Sequence, residues 1–177
     1  RIAKFIDHIL ALFPFEPKIM KEFGISCDFV GHPISFMPTY NENELSIIRK
    51  KFNIADNELL LVVLPGSRVS EIKRLLPVFL KSIEILNTRI ANIKILLPAI
   101  GSTVHLIEKY LESSLIDIEV FSENDLTAEE FETLKFDLFC VADFALAASG
   151  TVTLELAAAK TPMIVSYDVN FFSRIIL

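Results

Sequence analysis

The sequence predicts an α/β fold: a doubly wound parallel sheet with helices on both faces, preceded by the tail of another α/β domain. Three observations predict it. Strand-like and helix-like segments alternate along the chain, and helices of ten or more residues between strands indicate βαβ units. The strand-like segments, such as "LLLVV" and "IKILLPA", are near-continuous apolar runs, as expected of strands covered on both faces. Hydrophobic residues make up 52% of the 177, and the mean hydropathy of +0.49 is high for a soluble domain; a sheet covered on both faces accounts for it, as would a surface that meets lipid or a missing half.

The first elements form a short series. "HILALFPF" reads as a strand ending at Pro14. "EPKIMKEFG" reads as a helix, with Pro17 in its first turn and Gly24 as its stop. "CDFVGHP" reads as a second strand, closed by Gly31 and Pro33. "ISFMPTYNEN" has no clear period and carries Pro38 and two Asn, which marks it as the linker. Residues 1–35 are therefore expected to be the end of one domain and 36–177 most of another.

The second series is longer. "ELSIIRKKFNI" is a helix and "ELLLVVLPG" a buried strand. A long helix runs through roughly 72–90, with Pro77 either kinking it or standing in the first turn of its main part. "IKILLPA" is a strand, and "STVHLIEKYLESS" a helix with Val104, Ile107 and Leu111 on its apolar stripe. "IDIEVFS" is a strand, "SENDLTAEE" an acidic polar loop, and "EFETLKFDLFCVAD" a helix. "FALAAS", "TVTLELAAAK" and "PMIVSY" complete the series as strand, helix and strand.

Several function classes are excluded. A net charge of −6 argues against a nucleic-acid surface. No run of about 18 uncharged apolar residues suggests a spanning helix, and Lys4, Asp7 and Glu16 interrupt any signal-peptide core. Cys27 and Cys140 are isolated, so neither a disulfide framework nor a zinc site is expected, and a reducing cytosol fits them. No His or Cys pair has metal-ligand spacing. "GTVTLE" lacks the glycines of a nucleophile elbow, and no G-x-G-x-x-G follows a strand. The chain opens on Arg1 and stops at "FFSRIIL", so both ends read as cut.

Ligands of doubly wound folds bind outside the carboxyl ends of the strands, where two loops stand out. In "LPGSR", residues 64–68, Gly66 permits a tight turn and Ser67 is placed to cap the next helix. Its amides and Arg68 suit an anion; the alternative is a plain turn whose Arg68 pairs with Glu71. The second loop is Ser149-Gly150-Thr151, where two hydroxyls and free amides suit phosphate oxygens. Glu155 follows one turn later. A capping box does not explain it, because the residue three before it is Val152. A carboxylate there suits a sugar diol; the alternative is a favourable place near the helix dipole. His32, in "VGHP", suits either a ligand at the domain junction or a structural turn. His8 and His105 read as ordinary surface or half-buried residues.

"LALFPFEPKIMKEFG", "FVGHP", "LPGSRVSEI" and "LAASGTVTLELAAAKTPMIVSY", in this order, resemble the lipid-A-disaccharide synthase family over essentially the whole chain. The resemblance implies a GT-B glycosyltransferase, built from two Rossmann-like domains, of which 36–177 is the UDP-sugar-binding one. It implies transfer of a 2,3-diacylglucosamine unit from UDP-2,3-diacylglucosamine to 2,3-diacylglucosamine 1-phosphate, giving the β-1,6-linked disaccharide and UDP. It implies an inverting, metal-independent enzyme without cofactor, cytoplasmic and peripheral on the inner membrane, with a homodimer possible in principle. By the same resemblance Gly66, Ser67 and Arg68 stand at the nucleotide cleft, with Arg68 stabilising the leaving group. Ser149, Gly150 and Thr151 cradle the diphosphate, Glu155 holds the ribose hydroxyls, and His32 lies at the hinge.

The chain also departs from the family. The general base is expected outside it, so the piece alone is expected to be inactive. Asp168 stands where a basic residue is expected, and the region 122–134 is longer and more acidic than usual. Phe171, Phe172, Ile175, Ile176 and Leu177, with Arg174, suit a membrane- or dimer-facing surface, or packing against further sequence. Competing readings are another UDP-sugar enzyme of the same architecture, an epimerase or a glucosaminyltransferase, and a non-catalytic UDP-binding piece of a split protein.

Overall fold

A computed structural model describes residues 2–168, apart from the side chains of Ile2 and Asp125. The apolar residues Phe171, Phe172, Ile175, Ile176 and Leu177, with Arg174, lie outside the described residues. The chain divides into two compact units, Arg1–Pro38 and Thr39–Leu177.

The first unit is one βαβ turn. β1 (His8–Ala11) and β2 (Ser26–Phe29) pair in parallel, from His8 opposite Ser26 to Ala11 opposite Phe29, and α1 (Glu16–Glu22) connects them. β1 ends at Ala11 instead of continuing to Pro14. The cause is Glu16, whose Oε2 accepts the N–H groups of Leu12 (3.0 Å) and Phe13 (2.9 Å) and bends the chain into the helix. α1 stops at Gly24, whose φ of +70° suits a residue without a side chain. His8 is more than an ordinary surface residue: its ring joins the two strands, with Nδ1 2.9 Å from Ser26 Oγ and Nε2 3.2 Å from Asp28.

The second unit holds a five-stranded, wholly parallel sheet of β3 (Leu59–Leu64), β4 (Ile93–Ala99), β5 (Glu119–Ser122), β6 (Phe144–Ala148) and β7 (Met163–Ser166). Their order across the sheet is β5-β4-β3-β6-β7. The chain winds outward from β3 to β5, then returns to β3's other side for β6 and β7. The β3/β6 boundary is thus the topological switch point, where a crevice opens at the strand ends of such sheets. Leu64 stands opposite Ala147 in the register, so the loops leaving β3 and β6 start side by side.

Helices α2 (Glu42–Lys51), α3 (Val69–Asn87), α4 (Gly101–Leu111), α5 (Ala128–Val141) and α6 (Val152–Ala158) complete the unit. Side chains of β3 alternate between faces. Leu61 and Val63 pack in one cluster with Ile72, Leu76, Phe79 and Ile83 of α3 and Ile107 of α4. On the opposite side of β3, α5 lies against the strand and also touches α2 and α6. With both faces covered, four consecutive residues, Leu60 to Val63, are wholly inaccessible to solvent. Each such side chain contributes roughly 1.5–3 kcal/mol by burial, and this explains the unbroken apolar run.

Several elements depart from expectation at their ends. α3 begins at Val69, earlier than 72, and Pro77 lies inside a continuous helix. Its N-cap position is Arg68, not Ser67. Glu71 already accepts the N–H groups of both residues, so no hydroxyl cap is made. The acidic stretch before α5 is only partly loop. Thr127 and Glu130 form a capping box that starts the helix at Ala128.

Candidate functional site

A cleft of about 530 Å³ opens at the switch point. Gly66, Ser67, Arg68 and Glu71 line it from the turn after β3, Pro98 and Ile100 from the end of β4. Phe131, Glu132 and Lys135 line it from α5, and Ser149, Gly150, Thr151, Val152 and Glu155 from the turn after β6 and α6. Seven of the eight residues singled out in the sequence therefore meet in one cavity of the second unit; the eighth, His32, belongs to the first unit.

The first loop is built around Gly66. Its φ is +111°, and a Cβ there would lie 2.4 Å from Glu71 Oε2 and 2.6 Å from Glu71 Cβ. The glycine is thus needed for close approach as well as for its dihedral angle. Glu71 Oε2 accepts the N–H groups of Ser67 (3.1 Å) and Arg68 (3.3 Å), and Oε1 accepts from Arg68 Nη1 at 3.0 Å. The plain-turn alternative predicts this pair. The amides suited to an anion are holding one, the chain's own carboxylate. The Arg68 side chain is 79% exposed, so this ion pair contributes at most about 1 kcal/mol.

The second loop is more open. Ser149 N–H donates to Ser166 O at 2.8 Å, anchoring the loop to β7. The Gly150 carbonyl accepts from Thr153, both N–H and hydroxyl. A Cβ at Gly150 would meet nothing within 4 Å. No atom of the described protein demands glycine there; the space belongs to the cleft. Among the described residues, nothing bonds the hydroxyls of Ser149 or Thr151, and Thr151 stands at the helix start without making a side-chain cap.

Glu155 differs from the solvated helix-dipole acid of the alternative reading. Its side chain is only 17% exposed, and Lys135 Nζ lies 3.0 Å from its Oε2. Lys135 also reaches Glu132 Oε2 at 2.5 Å, one turn back on α5. Burial works against the lysine's charge, but the two carboxylates outweigh it and raise its pKa above the ordinary value. The sequence reading missed Lys135. The available signal was its spacing: it stands four residues after Phe131 and three before Leu138, both buried, so a cation falls on the apolar face of the helix.

His32 makes a turn. Its Nδ1 accepts the Ile34 N–H at 3.1 Å, starting a short 3-10 helix over Pro33–Phe36, and its ring lies 5.7 Å from that of Phe13. Asp168, at the edge of the described chain, approaches Arg74 Nε to 4.0 Å. Among the described residues no three His, Cys, Asp or Glu side chains are grouped to hold a metal ion. No described helix is long and apolar enough to cross a membrane.

The family model described as Lipid-A-disaccharide synthetase (LpxB) matches residues 1–177. A lipid-A-disaccharide synthase of Ruegeria pomeroyi is 36% identical over 98% of this chain and 43% of its own length. One of Rickettsia felis is 39% identical over the whole chain and 42% of its own length. The chain thus spans about two fifths of these curated relatives. Among solved structures, a family 9 glycosyl transferase from Veillonella parvula superposes with a TM-score of 0.55 at 10% identity, covering 90% of this chain and 56% of that one. WaaG, a glycosyltransferase involved in lipopolysaccharide biosynthesis, gives 0.51 at 16% identity, covering 89% of this chain and 43% of that one. At such identities these two likenesses speak for the fold alone.

Proposed function

This chain belongs to the lipid-A-disaccharide synthetase family, and from that premise we propose that it is the nucleotide-sugar-binding part of a lipid A glycosyltransferase. The donor is UDP-2,3-diacylglucosamine and the acceptor 2,3-diacylglucosamine 1-phosphate. The acceptor's 6-hydroxyl oxygen bonds to the donor's anomeric carbon. The bond from that carbon to the diphosphate breaks, and UDP leaves with the electron pair. A general base takes the hydroxyl proton. Acyl chains on both substrates suit peripheral attachment to the inner membrane, and a UDP-linked donor suits its cytoplasmic face.

The observation that carries the reading is the convergence of both loops on one cleft at the switch point, with Glu155 inside it. Negative charge grows on the diphosphate as UDP leaves. Arg68, exchanged from Glu71, the amides of Gly150 and Thr151 and the hydroxyls of Ser149 and Thr151 are the groups suited to receive it, and losing one such donor typically costs on the order of 10²–10³ in rate. Gly66 and Ser67 shape the other wall. Glu155 accepts the ribose hydroxyls, and His32 stiffens the turn at the junction between the domains.

Calorimetric titration of the chain with UDP, with ADP as control, tests this. UDP binding that ADP does not match, and that Glu155→Ala weakens, is the expected result. Equal binding of the two nucleotides, or none of UDP, would refute the reading.

A further inference from the structure

We infer that Lys135 is a positioning residue that fixes the Glu155 carboxylate for a ribose diol, and thereby sets the preference for a ribonucleotide over its 2′-deoxy form. The inference rests on the proposed role of Glu155. It adds a residue from a different helix, α5, as the one that makes Glu155 competent.

The argument starts from charge and burial. The Lys135 and Glu155 side chains are 14% and 17% exposed, the least exposed ionic pair of the cleft. A carboxylate so placed, with no cation nearby, loses hydration without compensation and has nothing to hold its orientation. Lys135 supplies the cation. Its contact with Glu155 Oε2 is an ion pair at 3.0 Å rather than a well-directed hydrogen bond, and that oxygen is buried. Among the described residues Oε1 accepts no hydrogen bond, so it remains for a ligand hydroxyl. Glu132, on the same helix, holds Lys135 from the other side. The ammonium thus has two anchors, and a change of its position would cost both contacts.

Charge also decides what this end of the cleft accepts. Glu132, Lys135 and Glu155 together carry one excess negative charge at neutral pH. That suits the neutral hydroxyls of a sugar, which donate hydrogen bonds, and repels a phosphate. Arg68, largely exposed, stands on the other loop. The two cations of the cleft therefore divide the work: Arg68 faces anionic groups, and Lys135 serves a carboxylate that reads hydroxyls.

The test compares the affinities of UDP and 2′-deoxy-UDP for the full chain and its variants. A hydrogen bond to a charged acceptor predicts a preference for UDP on the order of 10- to 100-fold in the unaltered protein. Glu155→Ala should bring the ratio to about 1. Lys135→Met should bring it below about 3-fold, Lys135→Gln should behave like Lys135→Met, and Lys135→Arg should restore most of it. Urea unfolding of each variant identifies any that fails to fold, and the Gln variant then carries the test. A Lys135→Met variant that weakens both nucleotides equally would assign the lysine to phosphate and overturn the inference. One that leaves both affinities unchanged would overturn it too. If Glu155→Ala leaves the ratio intact, the ribose role of Glu155 fails first, and the fault lies in the underlying reading.

Discussion

Replacing Gly66 by alanine is the sharpest test of how the first loop is built. Two costs follow from the structure. The residue's φ of +111° is a region that side-chain-bearing residues rarely adopt, and holding alanine there costs about 1–3 kcal/mol. The new Cβ would also stand 2.4 Å from Glu71 Oε2 and 2.6 Å from Glu71 Cβ. Rotating the Glu71 side chain moves the oxygen away, at the loss of its bonds to Ser67 and Arg68. Rotation cannot move Cβ, so the start of α3 must shift, and overpacking of this kind costs about 1–3 kcal/mol. The total is about 2–6 kcal/mol, a large share of the roughly 5–15 kcal/mol available to a domain. With a urea dependence of about 2 kcal/mol per molar, the unfolding midpoint should fall by about 1–3 M. In a Glu71→Gly background both obstructing atoms are gone. There Gly66→Ala should cost only the dihedral strain, about 1–3 kcal/mol. A midpoint shift under about 0.3 M in the unaltered background, or equal costs in both, would refute the account of Gly66 as a site of close approach.

Two further predictions concern the face of the second unit formed by α2 and α5. Tyr40 Oη donates to Oδ1 of the buried Asp137 at 2.6 Å, while Lys51 Nζ lies 3.5 Å from Oδ2; Tyr40→Phe should cost about 1.5–3 kcal/mol in urea unfolding, and a loss under about 0.5 kcal/mol would show that Lys51 alone suffices. Burial first, then the charge of Asp137, pushes the Cys140 thiol from an ordinary value of 9.0 up to about 11. Alkylation of Cys140 in the folded protein at pH 8 should therefore be at least about 100-fold slower than in the unfolded chain. The sign for stability follows: the raised pKa stabilises the fold below pH 9, and the contribution is lost as pH rises from 9 toward 11. Equal alkylation rates in folded and unfolded protein would contradict this.

The order of the elements was legible because each buried strand of the sheet is a short apolar run and each helix carries its own period. Strand ends were less so. Nothing in "HILALFPF" itself stops the strand at Ala11; a carboxylate from the following helix does. The Thr127–Glu130 capping box, by contrast, was present in the sequence as Thr-x-x-Glu, but the surrounding acidic residues made the segment read as loop. The order of the strands was not legible at all. Parallel partners are set by packing across the whole sheet, and no local pattern distinguishes β6 beside β3 from β6 beside β5. The two loops were visible as composition, whereas their meeting depends on that order. Lys135 shows the same limit at the level of one side chain. Its place on the buried face could be counted, but its partner lies on another helix, 20 residues away in sequence.

Two ion pairs of the cleft, Arg68 with Glu71 and Lys135 with Glu155, each join a cation to a glutamate and are unlike in physics. Arg68 with Glu71 is a pair within one turn, its guanidinium 79% exposed. Water screens it, and an arriving anion can compete for Arg68 at little cost. Lys135 with Glu155 joins two helices, with both side chains less than a fifth exposed. Removing Lys135 there leaves Glu155 charged and poorly solvated, a much greater penalty, whereas removing Glu155 leaves Lys135 its contact with Glu132. A ligand that bears both phosphate and sugar therefore meets one cation that can change partners and one that cannot. The exchangeable cation stands on the loop beside the glycine that Glu71 presses against, and the fixed one stands behind the carboxylate. This division makes one end of the cleft adaptable and the other selective, and it arises from burial, since both pairs draw on the same two kinds of charge.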